Sequence, residues 1–129
     1  MAGNGYKHYK QTAITTATPG QVLIMLYEGA IQHLRKAAEA MDRKDVAAKC
    51  RHIGKAHDIV NELCATLNHE VGGDIARDLE RLYNYMGSQL VKANMENNKE
   101  SVLQVAKLLE TLLSGWKGAV EQVQRGQTK

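Results

Sequence analysis

A chain of 129 residues is long enough to bury one sizeable core without disulfides or a structural metal, so a single domain is expected. With 43% apolar and 24% charged residues it is too hydrophobic for a disordered polymer, and 17 basic against 14 acidic residues, spread along the sequence, leave no basic block that would point to nucleic acid. No stretch approaches the roughly 20 apolar residues of a membrane span and Met1 to Gln11 contains no apolar signal-peptide core, which together predict a cytoplasmic protein with no membrane insertion.

One proline, no phenylalanine and an abundance of Ala, Leu, Lys, Glu and Gln favour helix throughout. Residues 1–18 are rich in Gly, Asn, Thr and Lys, with Tyr6, Tyr9 and Ile14 as the large apolar groups, and read as a flexible N-terminal arm. Thr18-Pro19-Gly20-Gln21 then has the layout of a capping box with proline at the first helical position. The first helix is predicted over 19–41. Asp42 to Asp45 forms a polar turn in which Asp45 caps a second helix over 46–68. Val71-Gly72-Gly73-Asp74 supplies residues that reach positive φ and an aspartate suited to capping a third helix over 75–95. After Asn97-Asn98-Lys99, the spacing Val102, Val105, Leu109, Leu112, Leu113, Trp116, Val120, Val123 predicts a fourth helix over 99–124, followed by a disordered tail at 126–129. The expected fold is all-α: an antiparallel up-down-up-down four-helix bundle over 19–125.

These helices carry more apolar surface than a bundle corner covers. Helix two centres on Ile53, Ala56, Val60, Leu63 and Leu67, which leaves Ile59 on a shoulder. Helix three centres on Ile75, Leu79, Leu82, Met86 and Leu90, with Tyr83 and Tyr85 on opposite flanks. Helix one opens with Val22-Leu23-Ile24-Met25-Leu26-Tyr27, apolar on every side. Ile24, Met25, Ile59, Tyr85 and Leu108 are either scattered surface apolars or parts of a groove that receives an apolar segment of a partner or of the arm. The candidate partner contacts are Tyr6, Tyr9, Ile24, Met25, Tyr27, Ile59, Leu63, Tyr83, Tyr85, Met86 and Leu108. Trp116 continues the helix-four stripe and is read as core.

Catalysis and metal binding find little support. A di-iron bundle needs Glu-x-x-His pairs, and the sequence has none. Cys50, His57 and Cys64 recur at seven-residue intervals, about 10 Å apart on a helix, too far to share one metal. Cys50 and Cys64, roughly 21 Å apart on one helix, cannot form a disulfide. Gly72-Gly73 lacks the lysine or serine of a phosphate loop. No enzyme activity, metal or cofactor is expected. His52-Ile53-Gly54-Lys55-Ala56 resembles the His-x-x-Lys-Gly segment of histidine phosphotransfer domains, but departs from it by placing Gly54 before Lys55.

The run from Thr18 through Pro19-Gly20-Gln21-Val22-Leu23-Ile24-Met25-Leu26-Tyr27-Glu28-Gly29 to Ala30 resembles the opening of the flagellar secretion chaperone family, FliS. Gly72-Gly73-Asp74-Ile75-Ala76-Arg77-Asp78-Leu79 and Leu82-Tyr83-Asn84-Tyr85-Met86 resemble two further family patterns, as do Leu90 with Ala93-Asn94, the late Trp116 and an early tyrosine, Tyr6 or Tyr9. Asn84 stands where the family usually has aspartate, and Thr18 where serine is commoner. The resemblance implies a cytoplasmic chaperone without ATP that binds the disordered C-terminal region of flagellin, prevents premature polymerisation and aids delivery to the type III export apparatus. Export-apparatus or regulatory proteins are further candidate partners. A generic helical adaptor for another protein is the alternative that the same apolar surface would serve.

Overall fold

Local capping chemistry sets the helix ends in the computed structural model, which describes residues 18–127. Thr18 Oγ1 accepts from the Gln21 N–H at 3.2 Å while Gln21 Oε1 accepts from the Thr18 N–H at 3.0 Å, so the capping box closes and starts α1 (Pro19–Asp42). Lys44 takes a positive φ of 60° in the turn, and Asp45 Oδ1 accepts from the Ala48 N–H at 3.1 Å to start α2 (Val46–Ala65). Asn68 caps α3 (His69–Glu96) through the Val71 N–H at 3.1 Å, and Asn97 ends it in the left-handed conformation. Asn98 Oδ1 then accepts from the Ser101 N–H at 3.2 Å within the first turn of α4 (Lys99–Gln127).

Two boundaries differ from the sequence expectation for one reason. Asn68 reads as the end of a helix, yet its side chain caps the next one, so α2 stops at Ala65 and α3 starts at His69. Gly73 does reach positive φ (52°, with ψ −122°), but as a kink inside α3 rather than as a loop before it. Asp74 pairs with Arg77 one turn on. At the far end α4 continues to Gln127, past the predicted stop. Tyr6, Tyr9 and the rest of the predicted arm before Thr18 lie outside the described residues, as do residues 128–129.

Side-chain pairs fix the topology. Asp42 meets Lys99, Arg35 meets Glu110 and Glu28 meets Lys117, so α1 and α4 run antiparallel. His33 meets His52 and Gly29 lies against Ile59, which makes α1 and α2 antiparallel. Cys50 reaches Asn94 and His57 faces Gly87, doing the same for α2 and α3. Each helix therefore packs on its two chain neighbours, with α4 closing the ring against α1 and the α3–α4 seam the most sparsely packed.

Leu34, Val60, Leu63, Met86, Leu90, Val102, Val105 and Leu109 fill the centre, each buried side chain of this kind contributing about 1.5–3 kcal/mol relative to exposure. The α3 stripe is rotated from the one predicted: Ile75 is 69% exposed, while Tyr83 is 2% exposed and joins Ala76, Met86, Leu90 and Ala93 inside. Lys49 is the buried cation among the described residues, and its ammonium donates to the Asn94 carbonyl at 3.1 Å and to Asn97 Oδ1 at 3.4 Å, tying the start of α2 to the end of α3.

Candidate partner-binding surface

The predicted contact residues divide by burial. Tyr27, Leu63, Tyr83 and Met86 are 0, 1, 2 and 0% exposed, so the structure places these four expected contacts in the core of the bundle. For the tyrosines the reason is chemical: a buried phenol needs a partner, and the Tyr27 and Tyr83 hydroxyls hydrogen-bond to each other across the bundle, with ring centroids 6.5 Å apart. Burial raises the pKa of both phenols, and the bond to Tyr27 raises that of Tyr83 further, so both stay neutral. The Trp116 indole N–H approaches the Tyr27 phenol without closing a well-aligned bond, and its ring is half-buried at the edge of the core.

Ile24, Met25, Ile59, Tyr85 and Leu108 keep surface, but they do not share one groove. Tyr85 (51% exposed) and Leu108 line a groove of about 360 Å³ between α3 and α4, walled by Gln89, Gln104 and Thr111 and floored by Val105. Ile59 lies on the α1–α2 seam against Gly29, and Met25 is one turn before that glycine. Ile24 is one turn before Glu28, which pairs with Lys117 of α4 at 3.9 Å, so it belongs to the α1–α4 side. Helix shoulders that look adjacent on a helical wheel become different seams once four helices close into a ring.

Sequence reasoning missed two further recesses. Val91 (50% exposed) and Met95 (81% exposed) flank a hollow of about 590 Å³ between α2 and α3, kept deep by Gly87, where any Cβ would meet the His57 ring at 3.4 Å. The other, about 480 Å³, lies where α1 starts and α4 ends, between Pro19, Leu23, Trp116, Val120 and Val123. The i, i+4 pair Val91 and Met95 was the readable signal for the first; the second depends on two segments nearly one hundred residues apart, as the meeting of Gly20 with Val120 shows.

Among the described residues no group of three or more His, Cys, Asp or Glu side chains is placed to hold a metal, and Cys50 and Cys64 are free thiols. His52 spends its Nδ1 on His33 at 3.0 Å.

The family model described as Flagellar protein FliS matches residues 2–123. The chain belongs to the FliS family. It is 33% identical to the flagellar secretion chaperone FliS of Bacillus subtilis over 92% of this chain and 87% of that one. It is 37% identical to FliSB of Pseudomonas aeruginosa (87% and 92% covered) and to FliS of Salmonella typhimurium (88% of each). A crystal structure of a bacterial flagellar chaperone shares the fold with a TM-score of 0.76 at 24% identity, covering 95% of this chain and 99% of that one. FliS proteins are flagellar secretion chaperones and not enzymes, which sets the phosphotransfer reading of His52 aside. Among the described residues no helix is long and apolar enough to cross a membrane. The FliS-like run Leu82-Tyr83-Asn84-Tyr85-Met86 alternates accordingly, with Tyr83 and Met86 inward and Asn84 and Tyr85 outward.

Proposed function

We propose that this FliS protein acts in the cytoplasm by binding the disordered C-terminal region of flagellin, hiding the segments that would polymerise until the subunit reaches the flagellar type III export apparatus. The observation that carries this reading is the α3–α4 groove, where Tyr85 stands half-exposed beside Leu108 over an apolar floor on the most sparsely packed seam. An amphipathic helix of the flagellin tail fits such a groove with its apolar face down. Ordering that tail costs on the order of 2–5 kcal/mol, so one groove of this size is a small return. Further apolar contacts at Ile24, Met25 and Ile59 lie on other seams, and a tail that uses them has to wrap the bundle as an extended chain with helical stretches. Tyr6 and Tyr9 are proposed to compete for the same surface in the free protein, so removing residues 1–10 should tighten tail binding.

Calorimetric titration of the full chain with a synthetic C-terminal flagellin segment, followed in parallel by circular dichroism, tests the proposal. One-to-one binding with a negative heat-capacity change and gained helix supports it. No binding at high micromolar concentration overturns the flagellin assignment and leaves a helical adaptor for a different protein as the better account.

A further inference from the structure

The hairpin end of the α1–α2 face carries charge that the bundle does not use. His33 and His52 meet there, Nδ1 to Nδ1 at 3.0 Å with ring centroids 5.3 Å apart. Helical spacing places Lys36 one turn beyond His33 on α1 and Arg43 two turns further, while Arg51 and Lys55 flank His52 on α2. All four cations are exposed. None enters a salt bridge among the described residues, whereas Arg35, Arg77, Arg81, Lys99, Lys117 and Arg125 each have a carboxylate partner. Their positive charges act together at His52, adding to burial in pushing its pKa below 6.5.

Small residues bring these charges together. Buried Ala37, Ala40, Ala48 and Ala56 on α1 and α2 let the two backbones approach closely, so Lys36 comes near the level of Arg51, with Lys55 further towards Gly29 and Arg43 further towards the hairpin. Like charges so placed repel and contribute nothing to closing the bundle. Glu39 lies between Lys36 and Arg43 in sequence, and Asp58 follows Lys55 by one turn; neither is ion-paired among the described residues. Towards the other end of the face the charge gives way to the Gly29–Ile59 contact and to Met25, about 12 Å from His33 along α1.

We propose that this face is a second docking surface, on the side of the bundle opposite the α3–α4 groove, for an acidic segment of a partner protein whose carboxylates follow the cationic band from Arg43 past Lys36 and Arg51 to Lys55. Charge complementarity selects the class of partner. A phosphate backbone carries a charge at every repeat and would meet Glu39 and Asp58 with the wrong sign, while a polypeptide can vary its side chains along the face. A membrane surface would want exposed aromatic or long apolar groups within the band, and the band has none.

The test is a titration of the isotope-labelled full chain, followed by amide chemical shifts, with a peptide of alternating glutamate and alanine. The matching lysine peptide, a single-stranded oligonucleotide and phosphatidylglycerol vesicles serve as competing probes. Shifts confined to the α1–α2 face, weakened by salt and seen with the glutamate peptide alone, support the proposal. The triple variant Lys36→Glu, Arg51→Glu, Lys55→Glu should lose about tenfold or more in affinity for that peptide while keeping its helical circular dichroism and its binding to the flagellin segment. The neutralising pair Lys36→Gln, Lys55→Gln provides a milder variant should the triple reversal unfold. Shifts scattered over the surface, stronger binding of oligonucleotide or vesicles to the same face, or unchanged peptide affinity in a folded charge variant would each overturn it.

Discussion

Two opposite seams of one bundle are built in contrary ways. The α1–α2 seam is drawn tight by alanines and by the His33–His52 contact, and its outer face is polar and cationic. The α3–α4 seam is the most sparsely packed and leaves an apolar-floored groove under Tyr85 and Leu108. Both seams need only enough packing to hold the ring closed. What differs is which side chains the sequence leaves over on the outer face of each.

Substitutions should separate closure from remainder. The largest effect is expected from Tyr83→Ala, which empties a core site and orphans the Tyr27 hydroxyl: a loss of about 3–5 kcal/mol in denaturant unfolding. Tyr85→Ala, two residues away, should leave stability within about 0.5 kcal/mol and weaken the flagellin segment by about 2 kcal/mol in calorimetry. The reverse pattern would make Tyr85 the structural residue and erase the contrast between the seams. Tyr83→Phe keeps the ring and removes the bond, so about 1–3 kcal/mol of stability should go with tail affinity unchanged.

The smallest effect is a pH dependence confined to the tight seam. His52 is held below its ordinary pKa of 6.5 by burial and by Arg51, Lys36, Lys55 and Arg43, with His33 against its ring and Glu39 further along α1. The unfolded chain therefore takes up this proton more readily than the folded one. The neutral-state contribution of His52 is complete above pH 6.5 and declines as the pH falls below it. Unfolding midpoints recorded across pH 5–8 should fall on the acid side, and His52→Gln should flatten that fall. An identical profile in the variant would assign the acid sensitivity elsewhere.

Much of the bundle was legible because helices announce their ends locally. Thr18 with Gln21, Asp45 and the Asn97-Asn98 pair are chemical signals complete within four residues, and the structure uses each as read. Asn68 misled because one side chain cannot say whether it closes one helix or opens the next. Which α3 residues face inward was harder still. With Tyr83 and Tyr85 on either flank of the stripe, the choice depends on a hydroxyl partner fifty-six residues away on α1, and a stripe that runs through Ala76 and Tyr83 leaves Ile75 outside. The groove and the basic band share that difficulty, since their residues come from two helices whose relative rotation no periodicity records.

That rotation has a guardian in the Tyr27–Tyr83 bond. Among the described side-chain hydrogen bonds it is the one that spans the diagonal of the bundle, linking α1 to α3. Turning α3 about its axis far enough to swing Tyr83 outward would leave the Tyr27 phenol without its partner in a dry interior. The inward tyrosine thus acts as a key in a keyway, and its neighbour is held out by a contact it never makes.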